Sequence, residues 1–89
     1  MRCAGRAACW RADLHPLGAA VRELRARRGL SQEWLCYRAG VHRNYIGAIE
    51  RGTINPTFPT LTYLMGGLML PLSGVVRLYE RHVGEQQRA

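Results

Sequence analysis

The sequence predicts an all-α fold, a compact bundle of about five short helices. Three observations predict it. Apolar residues recur at helical spacing in five segments, capping and breaking residues bracket those segments, and no run alternates apolar with polar residues as a half-buried strand would. At 89 residues the chain is one domain, near the lower limit at which a single apolar core holds without staples.

Residues 1–13 carry no sustained periodicity and are expected to form a flexible N-terminal tail. Order begins near Pro16, which suits a first helical position. From there Leu17, Val21 and Leu24 fall at i, i+4 and i+7 with Ala20 between them, and Gly29 closes the segment. In "SQEWLCYRAG", Ser31 is a good N-cap, Glu33 sits in the first turn where the helix dipole favours an acid, and Gly40 ends a helix over 32–39. Trp34 stands where a Glu would complete a capping box, and half-buried packing is its expected role.

In "VHRNYIGAIERG", His42 takes the cap position of a third helix over 43–51, Ile46 and Ile49 mark its anchoring side, and Gly52 ends it. "TINP" is a turn. A fourth helix follows with Thr57 as N-cap, Pro59 in its first turn, and Leu61, Leu64, Met65 and Leu68 on one side. Gly66 and Gly67 weaken it by about 1 kcal/mol each relative to Ala. After Pro71 a last helix is expected from about Ser73, with Val75, Val76, Tyr79 and Val83 at helical spacing; residues 84–89 should fray. The domain organisation is thus a tail over 1–13, a domain over 14–83 and a short frayed end.

Charge narrows the function. Thirteen basic residues oppose six acidic ones for a net +7, every basic residue is Arg, and residues 1–30 hold a net +5 of that excess. Such a balance favours a polyanionic partner, and Arg supplies the planar fork that pairs with phosphates and guanine edges. With 47% hydrophobic residues, no tract of about eighteen apolar residues and no basic amphipathic lipid-binding stripe, a membrane is not the expected partner.

The three cysteines, Cys3, Cys9 and Cys36, form no C-x-x-C pair, and the N-terminus lacks a secretory apolar region. A cytoplasmic protein with reduced thiols is expected. The spacing of Cys3, Cys9 and His15 matches no zinc pattern, so no metal and no cofactor is expected. No nucleophile stands beside a base and no glycine-rich phosphate loop opens a helix, which argues against an enzyme.

The segments over 32–39 and 43–51 meet what a helix-turn-helix requires. Cys36 provides a small residue where the helices approach, Gly40 accepts positive φ in the turn, and Leu35, Val41, Ile46 and Ile49 tie the unit to a core. Here the chain resembles a known family. Residues 17–76, through "LSQ", "AGV", "YI", "IERG" and "NPT" in register with these helices and turns, are similar to the phage-repressor and Cro type helix-turn-helix domain, the xenobiotic-response-element family with its lambda-repressor-like fold. Among its members they look most like the small controller proteins of restriction-modification systems.

The resemblance implies roles. Arg43, Asn44 and Ala48 lie on the face that enters the major groove of double-stranded DNA. Arg43 has the chemistry for a bidentate contact to guanine, Asn44 for one to adenine, and Ala48 for a thymine methyl. Gln32, Arg51 and Asn55 are expected to contact the DNA backbone, Gln32 also bracing the recognition helix. Glu50, an acid beside a phosphate chain, is expected to pair with Arg25. His42, Gly47 and Ala48 depart from the family's usual cap and DNA-facing side chains.

One recognition helix spans too few bases for a genomic site, so a homodimer on a pseudo-palindromic operator is expected. Leu72, Val75, Val76 and Tyr79 are the candidate dimer interface. The expected function is a sequence-specific transcriptional regulator, autoregulatory in the controller manner. The alternative is an antitoxin or protein-binding adaptor on the same fold, and a toxin or RNA polymerase is the corresponding candidate partner.

Overall fold

The computed structural model describes residues 14–88 and resolves five helices: α1 (His15–Arg27), α2 (Gln32–Ala39), α3 (Arg43–Arg51), α4 (Phe58–Leu68) and α5 (Leu72–Arg88). No strand occurs among the described residues. The N-terminal tail expected over 1–13, with Cys3 and Cys9, lies outside them. The helical backbone of α5 passes through Gly84, where the sequence reading places a frayed end, and reaches Arg88.

Local chemistry accounts for most helix boundaries. Ser31 Oγ accepts from the Trp34 amide at 3.1 Å, and Thr57 Oγ1 accepts from the Thr60 amide at 3.2 Å, each satisfying a donor left over at a helix start. Three helices end in the same paired motif. In α1 the Gly29 amide donates to the Ala26 carbonyl and the Leu30 amide to Arg25; in α3 the Gly52 and Thr53 amides donate to Ile49 and Ala48. In α4 the Met69 and Leu70 amides donate to Gly66 and Met65.

That motif needs one residue at positive φ. Gly29 and Gly52 supply it at φ +69° and +75°, but at the end of α4 it falls to Met69 at φ +58°. A side chain in that region costs about 1–2 kcal/mol. Pro71 two residues on bars any continuation of α4, and the Arg28 guanidinium donates to the Met69 carbonyl at 3.2 Å.

The core comprises Ala20, Val21 and Leu24 of α1, Leu35 of α2, Val41, Ile46 and Ile49, Leu64, Met65 and Leu68 of α4, and Val75 and Leu78 of α5. Each buried Leu, Ile or Val contributes about 1.5–3 kcal/mol of transfer free energy. α1 packs against α3 and α5, α2 against α3 and α4, and α4 against α5, so α3 is clamped between the first two helices.

Two of these crossings depend on glycine. A Cβ on Gly18 would stand 2.4 Å from the Ile49 carbonyl oxygen and 2.6 Å from that of Glu50, so α1 rides directly on the α3 backbone. A Cβ on Gly67 would stand 3.0 Å from Ala39 Cβ and 3.1 Å from Leu35 Cδ1, where α4 meets α2. Gly66, its neighbour, faces open space.

Trp34 departs from its expected half-buried role. It is 58% exposed and meets Tyr37 edge to face, with ring centroids 5.8 Å apart. α2 turns Leu35 to the core, with Cys36 and Ala39 packed against it, which leaves Trp34 and Tyr37 on its outer side.

Candidate nucleic-acid interface

The 3.6-residue period divides α3 into two sides. Ile46 and Ile49, both at most 1% exposed, point into the core, while Arg43, Asn44 and Arg51 are exposed and Ala48 is half-buried. Residues at 43, 44, 47, 48 and 51 recur at spacings of three and four, so they share one face.

The start of that face is set by an unusual cap. His42 Nδ1 accepts from the Asn44 amide at 3.0 Å, standing in for the oxygen of a Ser or Thr. This fixes Arg43 and Asn44 in the first turn of α3, at the exposed end of the helix. Arg51 occupies the last turn, where the helix dipole favours a cation.

Gly47 is buried because side chains lie over it. A Cβ at that position would be 3.1 Å from Arg51 Nη1 and 3.6 Å from Gln32 Oε1, so Gln32 of α2 and Arg51 of α3 converge there. Gln32 also donates through Nε2 to Glu50 Oε1 at 3.0 Å, which ties the start of α2 to the end of α3.

Glu50 is the junction of three elements. Its side chain is 4% exposed, and it accepts from Arg25 Nε at 2.7 Å and Nη2 at 3.0 Å as a bidentate pair. Arg25 Nη1 donates in addition to the Leu30 carbonyl at 2.8 Å. The hydrogen bond to Glu50 raises the pKa of the Arg25 guanidinium, which keeps it charged. The arrangement holds α3 against α1 and the connection to α2.

A further pair joins the two helices of the motif at the exposed surface. Arg43 Nη1 lies 3.6 Å from Glu33 Oε2, with side chains 53% and 75% exposed. Sequence reasoning treated Glu33 only as a helix-dipole acid; what it missed is that the crossing of α2 and α3 brings the Arg43 side chain within reach of it.

Asn55 sits apart from this face. It is exposed, in the connection before α4, and lines an apolar groove with Leu14, Leu17, Leu61, Val75, Val76 and Tyr79. On α5, Val75 is 1% exposed and belongs to the core, Leu72 and Tyr79 pack partly against it, and Val76 is 44% exposed. The candidate dimer residues therefore form a gradient from core to solvent. No single described helix is long and apolar enough to cross a membrane, and no group of three metal-ligating side chains occurs among the described residues.

A two-helix unit with a glycine turn, a glycine-capped second helix clamped by a core and an ion pair, and a polar outward face define a helix-turn-helix domain. A family model described as a helix-turn-helix domain matches residues 16–78, and the chain belongs to that family. It is 44% identical over 52 residues to control protein C.SmaI of Serratia marcescens, covering 58% of this chain and 62% of that protein. It is 33% identical over 60 residues to an immunity repressor protein of Bacillus phage phi105, covering 67% of this chain and 42% of that protein. The chain thus spans less than two thirds of the length of these curated relatives.

Among solved structures, the restriction-modification controller protein C.AhdI of Aeromonas hydrophila superposes with a TM-score of 0.69 at 36% identity, covering 71% of this chain and 96% of that one. The controller protein C.Esp1396I gives 0.73 at 27% identity, covering 79% and 92%.

Proposed function

We propose that this protein is a transcriptional regulator of the controller type that binds a pseudo-palindromic operator as a homodimer in the cytoplasm, its own promoter among its targets. The observation that carries this reading is the outward face of α3. Arg43, Asn44 and Ala48 present guanine-, adenine- and thymine-compatible chemistry from a helix whose opposite side is locked into the core. Gln32 and Arg51 flank that face as backbone contacts, and Asn55 follows in the next turn. A net charge of +7 draws the protein to DNA irrespective of sequence.

Dimerisation supplies the second half-site, about 34–36 Å away along the duplex. Val76 and Tyr79, beside the apolar groove, form the contact, with Leu72 at its edge and Val75 supporting it from the core. The relatives are named as control, repressor and controller proteins, which supports regulation over catalysis.

The test is fluorescence anisotropy with the protein's own upstream DNA and a scrambled duplex at several salt concentrations. Arg43→Ala is expected to weaken the cognate site by about 1–3 kcal/mol, relax one base position and change scrambled binding less. Equal losses on both duplexes would remove Arg43 from base reading. Equal affinity of the unaltered protein for both would favour the adaptor or antitoxin reading, with the exposed Trp34 and Tyr37 as the surface to examine.

A further inference from the structure

We propose that Glu33 is a specificity-determining residue that touches no base: a positioning residue that holds Arg43 toward the groove and away from the phosphates. The inference rests on the reading of Arg43 as a base contact. Glu33 stands in the first turn of α2, three-quarters exposed, and its Oε2 meets Arg43 Nη1 across the motif at 3.6 Å.

A carboxylate at a DNA-binding surface repels the phosphate chain, so its presence there has a cost in affinity. Glu50, the other acid of this region, is buried and fully paired with Arg25 and Gln32. Glu33 is not buried, and its ion pair among the described residues is with the residue best suited to read guanine.

The geometry points to orientation. The guanidinium carries five N–H donors in a rigid plane, so engaging one end through Nη1 leaves enough donors for a bidentate contact to guanine O6 and N7. The pair can therefore persist in the cognate complex, where it spares Arg43 the loss of rotamer freedom that binding would impose. On noncognate DNA the same pair opposes a swing of Arg43 onto a phosphate. The two effects act in the same direction on the ratio of cognate to noncognate affinity.

Glu33→Gln keeps the shape of the side chain and removes its charge. Anisotropy titrations over a salt series, on the cognate and scrambled duplexes, are expected to show scrambled binding tightened, with the slope of log K against log salt steeper by about 0.9, one additional phosphate contact. The specificity ratio should fall by about three- to fivefold, the upper range for an exposed ion pair.

In an Arg43→Ala background the same substitution should move both duplexes equally and leave the ratio unchanged. An unchanged ratio in the wild-type background, or an equal fall in the Arg43→Ala background, would overturn the proposal; the first makes Glu33 a simple repulsive charge, the second a base contact in its own right. Thermal melts of the variants separate either result from unfolding. If Arg43→Ala alone leaves the ratio intact, the base-reading role fails instead, and the two failures are distinguished.

Discussion

Two adjacent glycines near the end of α4 should respond to the same substitution with opposite signs. Gly66→Ala replaces a helical glycine whose new Cβ meets nothing within 4 Å, so it gains the helix propensity of alanine, about 1 kcal/mol. Gly67→Ala makes the same gain, but its Cβ arrives 3.0 Å from Ala39 Cβ, 3.1 Å from the Ala39 amide nitrogen and 3.1 Å from Leu35 Cδ1. Two of those atoms belong to the backbone or Cβ of α2 and cannot rotate away, so overpacking costs about 1–3 kcal/mol.

The change in the unfolded chain is the same at both positions and cancels between the variants. The difference between them is therefore the overpacking itself. Urea unfolding followed by far-UV circular dichroism should rank Gly66→Ala above wild type and Gly67→Ala level with it or up to about 2 kcal/mol below. For a domain of this size each kcal/mol corresponds to about 4–8 °C in Tm. Equal stabilisation by both would refute the close approach of α4 to α2.

Two further outcomes follow from the charged contacts. Arg25→Ala leaves the buried Glu50 carboxylate with Gln32 as its remaining side-chain donor and should cost about 3 kcal/mol, whereas Arg25→Met with Glu50→Leu should return to within about 1 kcal/mol of wild type in denaturant unfolding; a double variant as unstable as the single would contradict the desolvation argument. Glu23 of α1 accepts from His82 of α5 at 3.1 Å and from Arg27 one turn on; the His82 hydrogen bond foremost, and Arg27 with it, holds its carboxylate below the ordinary value of 4.5. A lowered pKa stabilises the fold above the unfolded value and is lost as pH falls through the folded one. Melts between neutral pH and about pH 3 should therefore show a shallower acid limb for Glu23→Gln, and an unchanged limb would assign the acid sensitivity to other carboxylates.

The boundaries of the helices were legible in the sequence because caps act locally. Ser31 and Thr57 reach only three residues ahead, and Gly29 and Gly52 announce a left-handed backbone by having no Cβ. Met69 gave no such signal: its positive φ closes the paired cap at the end of α4, and a methionine does not advertise that conformation. Gly18 and Gly67 were equally silent, since their necessity lies in the helix facing them.

The outward face of α3 was legible from Ile46 and Ile49, whose spacing fixes which side is anchored and so which is free. The periodicity of α5 is less informative. It groups Leu72, Val75, Val76 and Tyr79 on one broad side, but only the packing of α1 shows that Val75 is used up by the core while Val76 remains exposed. The pairing of Glu33 with Arg43 depends on the angle at which two helices meet, which no local pattern encodes.

The fastening of α3 has a consequence for divergence among such proteins. Its anchors are Ile46, Ile49, the backbone contact at Gly18 and the Glu50 cluster, whereas Arg43 and Asn44 carry none of the core packing. Exposed positions of this sort accept substitution within about 0.5 kcal/mol. Under the proposed reading, the two residues assigned to base contact can thus be exchanged while the chain continues to fold, so a change of operator requires no compensating stability elsewhere.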